Sequence, residues 1–362
     1  MSIKDFFVNF KQSKKYKTVF VISLFVAAFI LAGAVAAKRY SNRSQTSLVK
    51  PGTKVKVAEQ LVTCPLDGKS YTKDKATRHP LAVVIENFPD ARPQSGYSAA
   101  SIIYEAITEG GITRTLAIFG PNDAPEVGPI RSARLFFMDW VKEYDAFFAH
   151  DGGNEDALAN IGAYNIKDLK TAQKYFWRDN KGKNVAYEHT EYSATTKLYE
   201  YAKSLKFDTA SSNFETLKFT VEKPITSGGK NVEIDFSKNP SYKVKWQYDA
   251  ASNSYNRFLA GKAHSDRNGG EQIKAKNIIV QEVSRTLQPH GSYGDENWLF
   301  QTTGSGKVQI FNNGNETVGT WKKTSRDSRT KFYDSQGAQI EFVPGQTWYE
   351  IIAPDVSTVT VS

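Results

Sequence analysis

One cysteine among 362 residues, Cys64, excludes an internal disulfide framework and any cysteine-rich zinc site. The common nucleophile and zinc signatures are missing too: no Gly-x-Ser-x-Gly, no Ser-x-x-Lys in a catalytic setting, no His-Glu-x-x-His. The five histidines (His79, His150, His189, His264 and His290) never fall at metal-ligand spacing, so neither a metal nor a cofactor is expected. Gly304-Ser-Gly-Lys307 imitates a phosphate loop, but Gln301 stands where the first glycine belongs and Val308 follows the lysine, so it reads as a hairpin turn. Aromatic residues, at 13%, are plentiful, which rules out disorder across the whole chain. The length allows about two domains.

Acids are absent where the basic residues gather. Residues 38–57 carry Lys38, Arg39, Arg43, Lys50, Lys54 and Lys56 with no acid, and residues 1–37 carry five lysines against one aspartate. These segments account for more than the whole net charge of +9 and leave residues 58–362 at −1. A nucleic-acid footprint needs lysine and arginine clustered on the folded body, so no nucleic-acid partner is expected.

Long apolar runs are equally rare. Thr18–Ala37 is the one stretch of 20 residues without a charge, and as a helix it would span about 30 Å, the hydrocarbon thickness of a bilayer. It reads as a single-pass transmembrane signal anchor in the cell membrane. Residues 1–17 are then a short cytoplasmic head, 38–57 a basic linker, and the bulk of the chain is extracytoplasmic. Ala34-Val35-Ala36 has the small-x-small form of a cleavage site and keeps a cleaved signal peptide as the alternative. Leu61-Val-Thr-Cys64 lacks the apolar run of a lipoprotein acceptor, so lipidation is not expected; a lone cysteine in an exported protein is buried, paired between molecules or simply harmless, and buried is the commonest case.

The expected fold class is α+β: a layered sheet-and-helix domain over 58–211, then a mainly antiparallel, β-rich domain over 212–362. Leu81–Glu86, Ser101–Ile107 and Thr113–Phe119 read as strands, with Gly110-Gly111 turning between the last two. Ser132 is the expected cap of a helix with Leu135, Met138 and Val141 on one face, and Ser193 of another through Lys203. After residue 212, short strands alternate with turn signals such as Asn312-Asn-Gly-Asn315.

The densest polar constellation lies between residues 105 and 154. Glu105 and Glu109 are an even step apart and would share one side of an extended strand. Arg131 and Arg134, three apart, would share a face at a helix start, where free N–H groups favour an anion. With Arg114 and the loop Gly152-Gly153-Asn154 they form the expected ligand site. The competing reading has these arginines pairing with Glu105, Glu109 or Asp139 to tie helix to sheet. His150 ends an apolar strand, where loops build sites, and it joins Glu105 and Glu109 as the catalytic candidates.

These same residues resemble the YerB-like family, predicted bacterial lipoproteins of unknown function. The resemblance rests on Leu81-Ala-Val-Val-Ile-Glu-Asn87, Ala91-Arg-Pro-Gln-Ser-Gly96, Ile103-Tyr-Glu-Ala106, Glu109-Gly-Gly-Ile-Thr-Arg114 and Gly128-Pro-Ile-Arg-Ser-Ala-Arg134. Asn256-Arg257, His264-Ser-Asp266 and Pro344-Gly-Gln-Thr-Trp348 extend it, so that it covers about residues 65–355. It implies a protein on the outer face of the cytoplasmic membrane and supplies no catalytic assignment. This chain departs from it in lacking a lipobox after its apolar segment.

The expected function is a non-enzymatic, membrane-anchored envelope module with an anion-binding cleft, whose partner is an anionic cell-wall polymer or an envelope protein. The alternatives are an envelope hydrolase or transferase using Glu105 or Glu109 with His150, and a purely structural assembly module.

Overall fold

Leu81–Glu86 (β1), Ile102–Ile107 (β2) and Thr113–Phe119 (β3) are buried at every position. Their apolar residues do not alternate with polar ones, the pattern of strands covered on both faces. Phe147–His150 (β4) and Lys167–Lys170 (β5) follow. The second half supplies Val232–Asp235 (β6), Lys243–Asp249 (β7), Ser254–Leu259 (β8), Asn277–Glu282 (β9), Gly304–Asn312 (β10), Asn315–Lys323 (β11), Lys331–Asp334 (β12), Thr347–Ile352 (β13) and Thr358–Val361 (β14). The computed structural model describes residues 60–210, 214–288 and 296–362.

Both halves build one ten-stranded sheet, in the order β12-β11-β10-β9-β13-β2-β3-β1-β4-β5. The halves join where β13 lies parallel to β2, with Thr347 opposite Ile102 and Glu350 opposite Glu105. A second sheet runs β8-β7-β6-β14, with the short strands Lys262–Ala263 and Lys274–Ala275 on β8. Three short helices complete the layers: α1 (Leu135–Lys142), α2 (Glu155–Asn160) and α3 (Thr195–Ser204). One face of the large sheet buries Phe136, Phe137, Met138, Trp140 and Val141 of α1, and Trp140 stacks on Tyr104 at 4.9 Å. The other face packs against Trp246 and Tyr255 of the second sheet and Leu198 of α3.

The expected α+β arrangement, with a layered sheet-and-helix domain followed by a separate β-rich one, is therefore corrected. The fold is mostly β, its longest described helix has ten residues, and the principal sheet is shared by both halves. Local apolar patterning reveals strands, but which strands become neighbours depends on closing loops hundreds of residues long. The single transmembrane helix is not supported either: no helix among the described residues is long and apolar enough to cross a membrane. The segment 18–37 lies outside the described residues.

Several local expectations are met. Gly110 and Gly111 turn the chain between β2 and β3 at φ of 64° and 72°, and Asn313-Gly314 make the two-residue turn between β10 and β11. Cys64 is buried, and burial pushes its thiol up to about 12. Gly304-Ser-Gly-Lys307 is not a turn but the opening of β10, where a side chain on Gly306 would strike the Trp321 indole. Neither Ser132 nor Ser193 caps a helix; α1 starts after Arg134 and α3 after Ala194, both in extended conformation.

Candidate functional site

β1, β4 and β5 run parallel, so their carboxyl ends point the same way. Glu86 ends β1 and His150 ends β4. The segment Gly128–Arg134 wedges between these ends: the Arg131 N–H donates to the Val84 carbonyl at 3.0 Å and the Ala133 N–H to the Gly152 carbonyl at 2.9 Å. This places the candidate arginines at the carboxyl edge of a parallel sheet, where α/β proteins hold ligands. Arg131 lies before α1 and Arg134 stands at its N-cap in extended conformation, so the two do not share a helix face.

Glu109 lies beyond the end of β2, in the tight turn Glu109–Gly111, so it does not share a strand face with Glu105. Its carboxylate bridges two of the candidate arginines. Arg114 donates to it at 3.1 Å, and Arg134 meets it with both Nε, at 3.0 Å, and Nη2. Burial opposes its charge, but Arg114 and Arg134 prevail and hold the carboxyl down at about 2. Burial, then the neighbouring Arg134, brings the Arg114 guanidinium down to about 10. Asp139 pairs with Arg326 at 2.6 Å instead.

Arg131 differs. It lies 3.2 Å from Glu86 by Nε and 3.6 Å from Glu188 by Nη2, but Nε is buried and its N–H is directed at no acceptor. The Glu86 oxygen nearest Arg131 is already bonded to His189 Nδ1 at 2.7 Å. That bond, against burial, raises the His189 pKa. The Arg131 side chain thus makes no hydrogen bond among the described residues, while staying 23% exposed.

His150 is buried, with Nδ1 2.6 Å from the Gly152 carbonyl and Nε2 3.0 Å from Asp168. Gly152 has φ of 66°, and a Cβ on Gly153 would press on Ala133 at 3.2 Å, so both glycines shape the loop beside Arg131. Asn154 accepts from the Ala157 N–H at 3.2 Å and caps α2. Glu105, Glu109 and His150 share no partner. Glu105 is wholly buried and bonded to Asn87, Thr113 and Arg257.

Sequence reasoning missed two groups. The first is a carboxyl pair: Arg178 Nη2 donates to Asp151 at 2.8 Å and to Glu191 at 2.7 Å, and Thr171 reaches both. Burial, then the proton shared with Asp151, lifts Glu191 to about 8. The second is centred on Arg257 of β8, fully buried between Trp246 and Trp348. It meets Glu105, donates to Glu350 at 2.8 Å and donates through Nε to His264 Nδ1 at 3.0 Å. Burial, then Arg257 and Arg92, hold His264 well below its usual range. A lone arginine in an amphipathic strand carries no signal of such partners. A cleft of about 800 Å³ opens elsewhere, beside Asn256 and Lys274, and none of the candidate residues lines it.

Residues 66–208 match the N-terminal domain, and residues 232–349 the C-terminal domain, of a family described as DUF3048, protein of unknown function. A Bacillus subtilis (strain 168) protein named "Putative lipoprotein YerB" is 33% identical over 304 residues, covering 82% of this chain and 88% of that protein. The chain belongs to the YerB-like DUF3048 family. The crystal structure of YerB from Bacillus subtilis superposes with a TM-score of 0.72 at 29% identity, covering 83% of this chain and 99% of that one. The two DUF3048 domains meet here at the β2–β13 pairing, and the Arg257 network sits on that seam.

Proposed function

We propose that this YerB-like protein is a membrane-associated, extracytoplasmic envelope protein that binds an anionic polymer at the carboxyl edge of β1 and β4. The envelope location is carried over from the lipoprotein name of its Bacillus relative. One observation supports the binding role above the rest: Arg131, at that edge, is ion-paired with Glu86 and Glu188, yet its buried Nε–H has no acceptor. Buried polar groups without partners are uncommon in folded proteins, and a charged donor set is costly to leave unmet. A phosphate or carboxylate accepts two guanidinium N–H groups at once. Arg114 and Arg134, fixed by Glu109, add positive potential behind it.

The alternative hydrolase or transferase would need Glu105, Glu109 and His150 around one substrate. Glu105 is enclosed with Arg257, and the other two face separate partners, so the geometry supports binding better than that chemistry. The test is retention of fractionated anionic wall polymer by the full-length chain. Arg131→Ala should abolish it with the fold intact; undiminished retention would remove Arg131 and the site with it.

A further inference from the structure

Tyr187 is 72% exposed, the most exposed large aromatic among the described residues. It belongs to a one-turn helix, Tyr187–His189, whose other two residues flank Arg131: Glu188 faces its Nη2, and His189 shares Glu86 with it. The ring is not loose. The Arg178 guanidinium lies 4.0 Å over one face, and Arg178 Nη1 donates to the Tyr187 carbonyl at 3.0 Å. Arg178 is itself anchored through Nη2 to Asp151 and to the buried Glu191. A cation fixed by two carboxyl groups thus lies against one face of the ring, while the residue as a whole stays largely exposed. Phe88, stacked on His189 at 5.0 Å, adds apolar surface to the same neighbourhood.

We propose that Tyr187 is a stacking platform for a sugar ring, so that the ligand of the Arg131 site is a saccharide carrying an acidic group. This deepens the anion-site reading and rests on it. The C–H face of a pyranose is apolar and matches an exposed aromatic face, while its hydroxyls stay wet. A platform already braced from behind loses little freedom on binding. The exposed Glu188 carboxylate accepts from ring hydroxyls, and Arg131 takes the phosphate or carboxylate.

The test uses the full-length chain in a detergent without a sugar headgroup, titrated with inorganic phosphate, glucose 1-phosphate and glucuronate and followed by ligand-observed NMR. At least one sugar acid should bind roughly tenfold more tightly than inorganic phosphate, a gain of the size that aromatic contacts supply. Tyr187→Ala should erase that gain while phosphate binding stays as in the parent; Tyr187→Trp should keep it. Arg131→Ala should lose all three ligands. Sugar acids that bind no better than phosphate, or a gain that survives Tyr187→Ala, would overturn the platform and leave the anion site standing. A parent that binds none of the three, or Arg131→Ala binding them like the parent, would overturn the anion site and the platform together.

Discussion

Glu105 and Glu350 stand directly opposite each other on parallel strands, one from each half of the chain, and both close on a single guanidinium, Arg257. Trp246 Nε1 adds a bond to Glu350 at 2.6 Å, while the second Glu350 oxygen has no hydrogen bond. Two carboxylates facing each other in a dry interior repel, and the arginine between them turns that repulsion into a link between the large sheet and the second one.

Removing the arginine should therefore cost more than removing a carboxylate. Arg257→Leu is expected to destabilise the fold by about 3–5 kcal/mol, the range for breaking a buried ion pair from one side. Adding Glu105→Gln and Glu350→Gln to that variant should recover part of the loss. Urea unfolding measures both; a single variant as stable as the parent would show that the network holds nothing together.

The pH dependence has a definite sign. Burial, together with the neighbouring Glu105 and against the pull of Arg257, holds Glu350 up at about 7, and Glu191 is held at about 8. Both folded values exceed the ordinary glutamate value, so the protonated carboxyls add stability that is full below that value and is lost as pH rises through 7 and 8. The denaturation midpoint should fall between pH 5 and pH 8.5, and Glu191→Gln should flatten that slope. An equal slope in Glu191→Gln would disconnect this carboxyl from the effect. Glu109 works in the opposite sense: held at about 2, its contribution is present above the ordinary value and lost as pH falls through 2.

The neighbouring arginines should separate stability from binding. Glu109→Ala strands the buried Arg114 without its carboxylate and should cost about 1–3 kcal/mol. Arg131→Ala takes one ion-pair partner from the buried Glu86, which keeps its bond to His189, and should cost no more than about 1 kcal/mol while abolishing retention of anionic polymer. Thermal unfolding and the retention assay, run side by side, check this; a large stability loss in Arg131→Ala would mark it as a structural residue.

His150→Ala should behave as a packing variant. The ring is enclosed between the Gly152 carbonyl, Asp168 and Phe148, so its loss should lower stability by roughly 1–3 kcal/mol with phosphate affinity unchanged. A stable variant with weakened phosphate binding would place His150 in the ligand site after all.

Strand identity was legible from sequence where burial is complete: β1 and β3 were readable to the residue, because apolar residues clustered between turn signals have few other readings. The even spacing of Glu105 and Glu109 misled because the strand ends at Ile107 and the Gly110-Gly111 turn resets the direction of the side chains. The helix-start geometry of Arg131 and Arg134 misled likewise, since their segment is held extended by hydrogen bonds to Val84 and Gly152 rather than by capping.

The sequence by itself determined what is local: its charge balance, its one long apolar run, its buried strands and tight turns, and its kinship with the YerB-like family. Tertiary structure alone decided partnership. Arg257 finds Glu105 across 152 positions and Glu350 across 93, and it finds them because β2 and β13 happen to lie side by side beneath β8. Strand propensity acts over a few residues, whereas the choice of an ionic partner is made by whichever charges the closing sheets trap together away from water.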